Sequence, residues 1–276
     1  MQDFLSNPAV QAALIPLLVG TGMAFALGKW ARLWQGVAIT AGFLTTVLLT
    51  TGLSFHPLMA TNKLILTSLG LPFLALVLAR IHWKGVWQKL SLAILPVIAS
   101  IWIVWPVLMR QEGWSLWQTG GSVALYAATI TMGLLWTGAG VNTRQAGAVI
   151  SLGLCGGGAS ILSASALYGQ LSIAVAAAAG GVLLIQLFNR FSGQFGHLAM
   201  YAAATPLALL GGAATIYAKL PAMALLCLVL VPAFAAIPAP KRFNPWLSAA
   251  FSVLMGLLPG LVAIWLSWDT AEPLAY

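Results

Sequence analysis

Residues 146–189 read AGAVISLGLCGGGASILSASALYGQLSIAVAAAAGGVLLIQLFN and lie between Arg144 and Arg190 without a single charged residue. A helix crossing the hydrocarbon of a bilayer needs roughly 20 predominantly apolar residues. The stretch is therefore long enough for two crossings, and its polar interruption at Tyr168-Gly169-Gln170 suits a tight turn between them. No soluble fold needs so long an uncharged run, and the expectation is a membrane-embedded helical pair.

The rest of the chain has the same character. Its 276 residues are 61% hydrophobic and 6% charged, with a mean hydropathy of +0.98, against about 25% charged residues in soluble domains. Apolar runs near 8–28, 33–55, 64–81, 90–109, 116–140, 146–167, 170–189, 197–217, 220–237 and 246–268 predict an all-α polytopic bundle of about ten spans, a single integral membrane domain over residues 1–276. The first run has no preceding Lys or Arg and no small-residue cleavage site, so it reads as a retained helix and not as a removable leader.

Basic residues set the expected orientation. With ten spans and both termini outside, the inside loops hold Lys29, Arg32, Arg80, Lys84, Lys89, Arg144, Arg190, Lys241 and Arg242, and the outside loops only Lys63, Arg110 and Lys219. Tryptophans agree with this layout, because Trp30, Trp34, Trp83, Trp87 and Trp246 fall at inner ends and Trp102, Trp105, Trp114, Trp117, Trp265 and Trp268 at outer ends, where amphipathic rings prefer the headgroup level. The net charge of +8 is scattered singly along the chain, so it points to lipid headgroups and not to nucleic acid. Five spans on each side of Arg144 suit two oppositely oriented halves, residues 1–143 and 144–276, with a central site between them.

Glycine-interrupted segments at matching places in two such halves point to broken helices beside a ligand. Here they nominate Gly20, Thr21 and Gly22 in the first span and Gly156, Gly157, Gly158, Ser160 and Ser163 in the sixth as solute-binding candidates. The competing reading is close helix packing through small residues. Pro16, Pro72, Pro96, Pro206, Pro232 and Pro259 fall inside spans and free carbonyls there. No Asp, Glu, Lys or Arg lies mid-span, which disfavours carboxylate-driven proton coupling. Neutral oxygens of Thr45, Thr46, Thr50, Thr129, Thr131, Ser160, Ser163 and Ser165 leave cation coupling open, although such side chains commonly bond their own helix. Catalytic parts are missing: the chain has no zinc motif, no Walker loop and no acidic pair. A serine–histidine pair would have to be assembled by the fold with His82 or His197, and haem would need the same two histidines. Cys155 and Cys227 sit in apolar runs as small buried thiols. No metal or cofactor is expected.

Three local patches, His56 to Leu64, Ser163 to Ser165 and Tyr217 to Pro221, resemble patches in uncharacterised multi-pass inner-membrane proteins of bacteria. The resemblance implies placement in a bacterial cytoplasmic membrane and carries no activity. In length, hydropathy and outside N-terminus the chain is also similar to quinol-interacting anchors of the dimethyl sulfoxide reductase type. It departs from them in having no intramembrane carboxylate. Three functions are expected from these features, in this order: a permease for a small neutral or anionic solute, a non-catalytic anchor or accessory subunit of a larger redox or envelope-assembly complex held among lipids and membrane-protein partners, and a membrane enzyme.

Overall fold

In a computed structural model the chain is described over residues 7–27, 35–52, 58–80, 86–137, 142–189 and 196–270. Among these residues there is no strand, and ten helices follow one another: α1 (Val10–Leu27, opening with a π turn over Val10–Leu14), α2 (Gln35–Thr50), α3 (Ala60–Arg80), α4 (Val86–Leu108), α5 (Trp114–Trp136), α6 (Asn142–Leu162), α7 (Ala166–Asn189), α8 (His197–Tyr217), α9 (Ala222–Ala235) and α10 (Pro245–Asp269). Six of them are long and apolar enough to cross a membrane, within α1, α4, α6, α7, α8 and α10, and α2 and α9 are shorter apolar helices. The protein is a multi-helix membrane protein.

Local chemistry explains several boundaries. Pro16 has no N–H to give the carbonyl of Ala12, and the chain widens just before it into the π turn. Thr46 of α2 donates to the neighbouring Gln11 carbonyl at 2.9 Å. Pro72, Pro96, Pro106, Pro206, Pro232 and Pro259 lie inside α3, α4, α8, α9 and α10. α10 begins with an Asn244 cap whose side chain accepts from the Leu247 N–H at 2.8 Å, followed by proline at the first helical position.

One boundary differs from the sequence expectation. The turn between the sixth and seventh helices is Ser163-Ala164-Ser165, and Tyr168-Gly169-Gln170 lies within α7. The Ser165 N–H bonds the Ser160 carbonyl at 3.0 Å and Ala164 takes φ 74°, a left-handed helix stop built on alanine. Gly169 serves packing instead: a Cβ there would lie 2.8 Å from the Gly157 carbonyl.

α7 and α8 form the buried centre. α7 packs on α1, α2, α6 and α8, and α8 on α2, α3, α4, α5, α6 and α7. The closest approaches run through small residues, as expected where lipid supplies no hydrophobic drive between helices. A Cβ at Gly20 would sit 2.6 Å from the Ala178 carbonyl, one at Gly153 2.8 Å from the Ser172 carbonyl, and one at Gly260 would run into Cys155. Several neighbour pairs recur from one half to the other: α1–α2 with α6–α7, and α4–α5 with α9–α10. α2–α7 and α3–α8, which an exchange of halves maps onto themselves, are both in contact. The extensive α6–α10 contact has no comparable α1–α5 counterpart among the described residues. Trp102, Trp105, Trp114, Trp117, Trp246, Trp265 and Trp268 are all on the surface.

Candidate functional site

The nominated residues separate into packing surfaces and a polar centre. Gly20 presses on Ala178 of α7. Thr21 donates to its own helix at the Leu17 carbonyl, 2.6 Å away, and stands against Gly181 of α7. A Cβ on Gly22 would meet nothing within 4 Å. In α6, Gly157 meets α7, where an added Cβ would be 2.6 Å from Ile173 Cγ1 and 2.9 Å from the Gly169 carbonyl, and Gly158 faces α10, where an added Cβ would be 3.0 Å from Ile264 Cδ1. The two glycine groups thus press on different places along α7, which separates them, and the structure does not bring Gly20 and Thr21 to the wall opposite Gly156–Ser160.

Gly156 and Ser160 do line a void, together with Tyr126 of α5, Ser172 of α7, Gly211 of α8 and Leu228 of α9. Its volume is about 10 Å³, close to the least that holds one water. Two glycines make it: Gly211 clears room for the Tyr126 ring, and at Gly156 the nearest atom to an added Cβ is 4.0 Å away. Three hydroxyl-bearing side chains therefore converge where five helices meet. In α9, Pro232 has no N–H for the carbonyl of Leu228. Tyr126, Ser172 and Gly211 were not nominated for a site from the sequence, where Tyr126 and Ser172 are single polar residues in apolar runs and Gly211 belongs to the small-residue run Gly211-Gly212-Ala213-Ala214 that suggests packing.

At the α6–α7 end the three patches of resemblance come together as far as they are described. Ser163 is 8% exposed and its hydroxyl has no partner. Ser165 Oγ accepts from the Tyr168 N–H at 3.4 Å, the Tyr168 hydroxyl lies beside the Thr61 side chain, and the Tyr217 hydroxyl donates to the Ile103 carbonyl at 3.1 Å. Ala164 and Lys219, in the turns after α6 and α8, are the non-glycine residues with positive φ among those described, at 74° and 55°. Unusual backbone of this kind tends to gather at functional sites. Lys63 stands at the same end, its ammonium 4.9 Å above the Trp102 ring.

The hydroxyls weighed for cation coupling mostly turn to backbone. Thr45 donates to Ala41, Thr50 to Thr46, Thr129 to Leu125 and Thr131 to Ala127, at 2.6 to 2.8 Å. His56, His82 and the side chain of His197 lie outside the described residues, as do Lys29, Trp30, Arg32, Trp34, Trp83 and Lys84 and the side chains of Arg80, Trp87 and Lys89. Among the described residues no group of His, Cys, Asp or Glu could hold a metal ion. A separate groove of about 230 Å³ opens between α2, α3 and α8, lined almost wholly by carbon from residues such as Gly36, Leu69, Pro72, Phe73 and Ala202. No protein-family model and no curated protein matches the chain.

Proposed function

We propose that this protein is a ten-span permease of a bacterial cytoplasmic membrane for a small neutral or anionic solute, with both termini outside and the halves 1–143 and 144–276 moving against each other. The observation that carries the reading is the void lined in part by the hydroxyl-bearing Tyr126, Ser160 and Ser172, beside Gly156, where five helices of the bundle meet. Hydroxyls without a charge suit a neutral solute, and Lys63 and Lys219 at the α6–α7 end attract an anion. Ser163, buried and unpaired, follows the void-lining Ser160 by three positions toward that end. The void is the contracted form of the site, and smooth glycine faces such as Gly20–Ala178 and Gly157–Gly169 allow helices to slide. Solute sites of permeases sit between such halves, and helix breaks supply their free carbonyls. The apolar groove beside α8 suits an acyl chain of a membrane lipid.

The test is osmotic swelling of liposomes holding the purified protein, with a panel of polyols, small amides and small anions. At least one solute crosses faster than in protein-free liposomes, and Tyr126→Phe and Ser160→Ala slow it. Folded protein that passes none of the panel refutes the reading. A second reading, a non-catalytic subunit of a larger membrane complex, is favoured by dense packing that leaves room for only about one water. It predicts partner subunits that co-purify in mild detergent. Gly157→Leu cannot separate the two, because its side chain would strike the α7 backbone in either case.

A further inference from the structure

Three buried hydroxyls on α3 and α8, helices that pack together, lack the carbonyl acceptor that many buried hydroxyls of the bundle find. Buried Thr131, Ser100, Ser151 and Ser267 all donate to a carbonyl of their own helix, and Thr46 and Ser252 to a carbonyl of a neighbour. Ser68 of α3 and Tyr201 and Thr205 of α8 are 2%, 0% and 0% exposed, and none has a partner in hydrogen-bond geometry, the hydroxyls of Tyr201 and Thr205 lying close enough only to interact with each other. A buried hydroxyl without a partner is costly, typically by about 1–3 kcal/mol, so three on two helices that pack together call for an occupant.

Prolines on the same two helices each deprive a carbonyl of its usual amide. Pro72 has no N–H to give the Ser68 carbonyl, and Pro206 none to give the Ala202 carbonyl. Each carbonyl lies on the helix face that runs from its own residue to the proline four positions on. On α3 that face belongs to the buried stripe Leu64, Ile65, Ser68, Pro72 and Ala75, and α8 is a main neighbour of α3. Depth matches as well, because Leu69 and Pro72 share a groove wall with Leu198 and Ala202. With the two helices running in opposite senses, one turn back along α3 reaches Ser68 and one turn on along α8 reaches Thr205. The two halves repeat the device: Pro72 and Pro206 sit in α3 and α8, Pro96 and Pro232 in α4 and α9, and the two intervals differ by only two positions.

We infer that Ser68, Tyr201, Thr205 and the carbonyls of Ser68 and Ala202 form a binding site for a dehydrated monovalent cation, Na⁺, at the α3–α8 crossing. Five neutral oxygens and no carboxylate suit a single charge, since divalent Ca²⁺ and Mg²⁺ sites rely on carboxylates. Helix breaks that aim carbonyls at an ion are the membrane form of a cation site. The site does not depend on the transport reading, because it is tested by stability and not by flux.

The experiment is thermal unfolding of the purified full chain in detergent, with Na⁺, K⁺ or choline chloride at one ionic strength. The midpoint rises with Na⁺ concentration as linkage requires and does so less with K⁺ and not with choline. Ser68→Ala and Thr205→Val lower the apparent Na⁺ affinity by on the order of tenfold or more, by analogy with the loss of groups that support metal ligands. Pro206→Ala restores the missing amide, preserves the fold, and weakens Na⁺ in the same way, so the site stays testable if a hydroxyl variant fails to fold. A midpoint identical in the three salts, as a resident water would give, overturns the inference. So does an undiminished Na⁺ response in folded Pro206→Ala.

Discussion

Three consecutive glycines, Gly156, Gly157 and Gly158, make a sharp test of the packing because one methyl group has three different fates there. Gly→Ala inside a helix gains roughly 0.5–1 kcal/mol of backbone propensity wherever the methyl fits. At Gly156 it fits, since the nearest atom, Leu228 Cδ1, is 4.0 Å from the added Cβ, and Gly156→Ala should be stabilising by about that amount. At Gly157 the methyl would stand 2.9 Å from the Gly169 carbonyl and 2.6 Å from Ile173 Cγ1. Neither is the free end of a side chain, so α6 and α7 must part. Overpacking of this kind costs typically about 1–3 kcal/mol, and after the propensity gain the net loss is on the order of 1–2 kcal/mol. Gly158 meets Ile264 Cδ1, a flexible tip, at 3.0 Å, and Gly158→Ala should fall between the two. The predicted gap between Gly156→Ala and Gly157→Ala, roughly 2–3 kcal/mol, corresponds to roughly 4–12 °C in midpoint for a chain of this size. Thermal unfolding of the three variants in one detergent reads the order directly. If Gly157→Ala matches the wild type, or Gly156→Ala is the least stable of the three, the assignment of these faces is wrong.

Ala164→Gly should raise the unfolding midpoint, by roughly 1 kcal/mol of stability, because alanine at φ 74° carries a steric cost that glycine lacks; a lower midpoint would contradict the turn. Asn244→Ala should cost about 1 kcal/mol through loss of the bond to the Leu247 N–H, and hydrogen exchange should show the loss confined to the first turn of α10. Under the orientation set by the basic loops, alkaline phosphatase fused after Tyr276 should be active and a reporter that matures only in cytoplasm should stay dark there; a bright cytoplasmic reporter would eliminate both termini outside.

The apolar runs were legible because hydropathy alone separates hydrocarbon from loop, and every one of the ten runs overlaps a helix of the structure. The boundary that was misplaced shows what hydropathy lacks. Tyr168-Gly169-Gln170 contains the usual signs of a turn, whereas Ser163-Ala164-Ser165 offers alanine at the one position where glycine is the common choice. The chain used its glycine, Gly169, to bring α7 against Gly157, so small size decided its place over backbone freedom.

The site was legible in its residue types and not in their directions. Successive helix positions turn by about 100°, so Gly156 faces a void, Gly157 the α7 backbone and Gly158 the tip of Ile264, though the sequence presents them as one motif. The hydroxyls divide in the same way. Thr131 and Thr205 are equally buried, yet Thr131 donates to Ala127 at 2.7 Å and the Thr205 hydroxyl meets no carbonyl of its own helix, with only the Tyr201 hydroxyl beside it. Back-bonding is the default for a threonine in a helix because the acceptor one turn back is always present. When that default is refused beside Pro206, which already leaves one carbonyl of the same turn without its amide, the local balance favours a ligand that accepts oxygen from both. A chain with no carboxylate at mid-span can therefore still build a charged-ligand site, from proline positions and unspent hydroxyls that hydropathy counts as ordinary membrane residues.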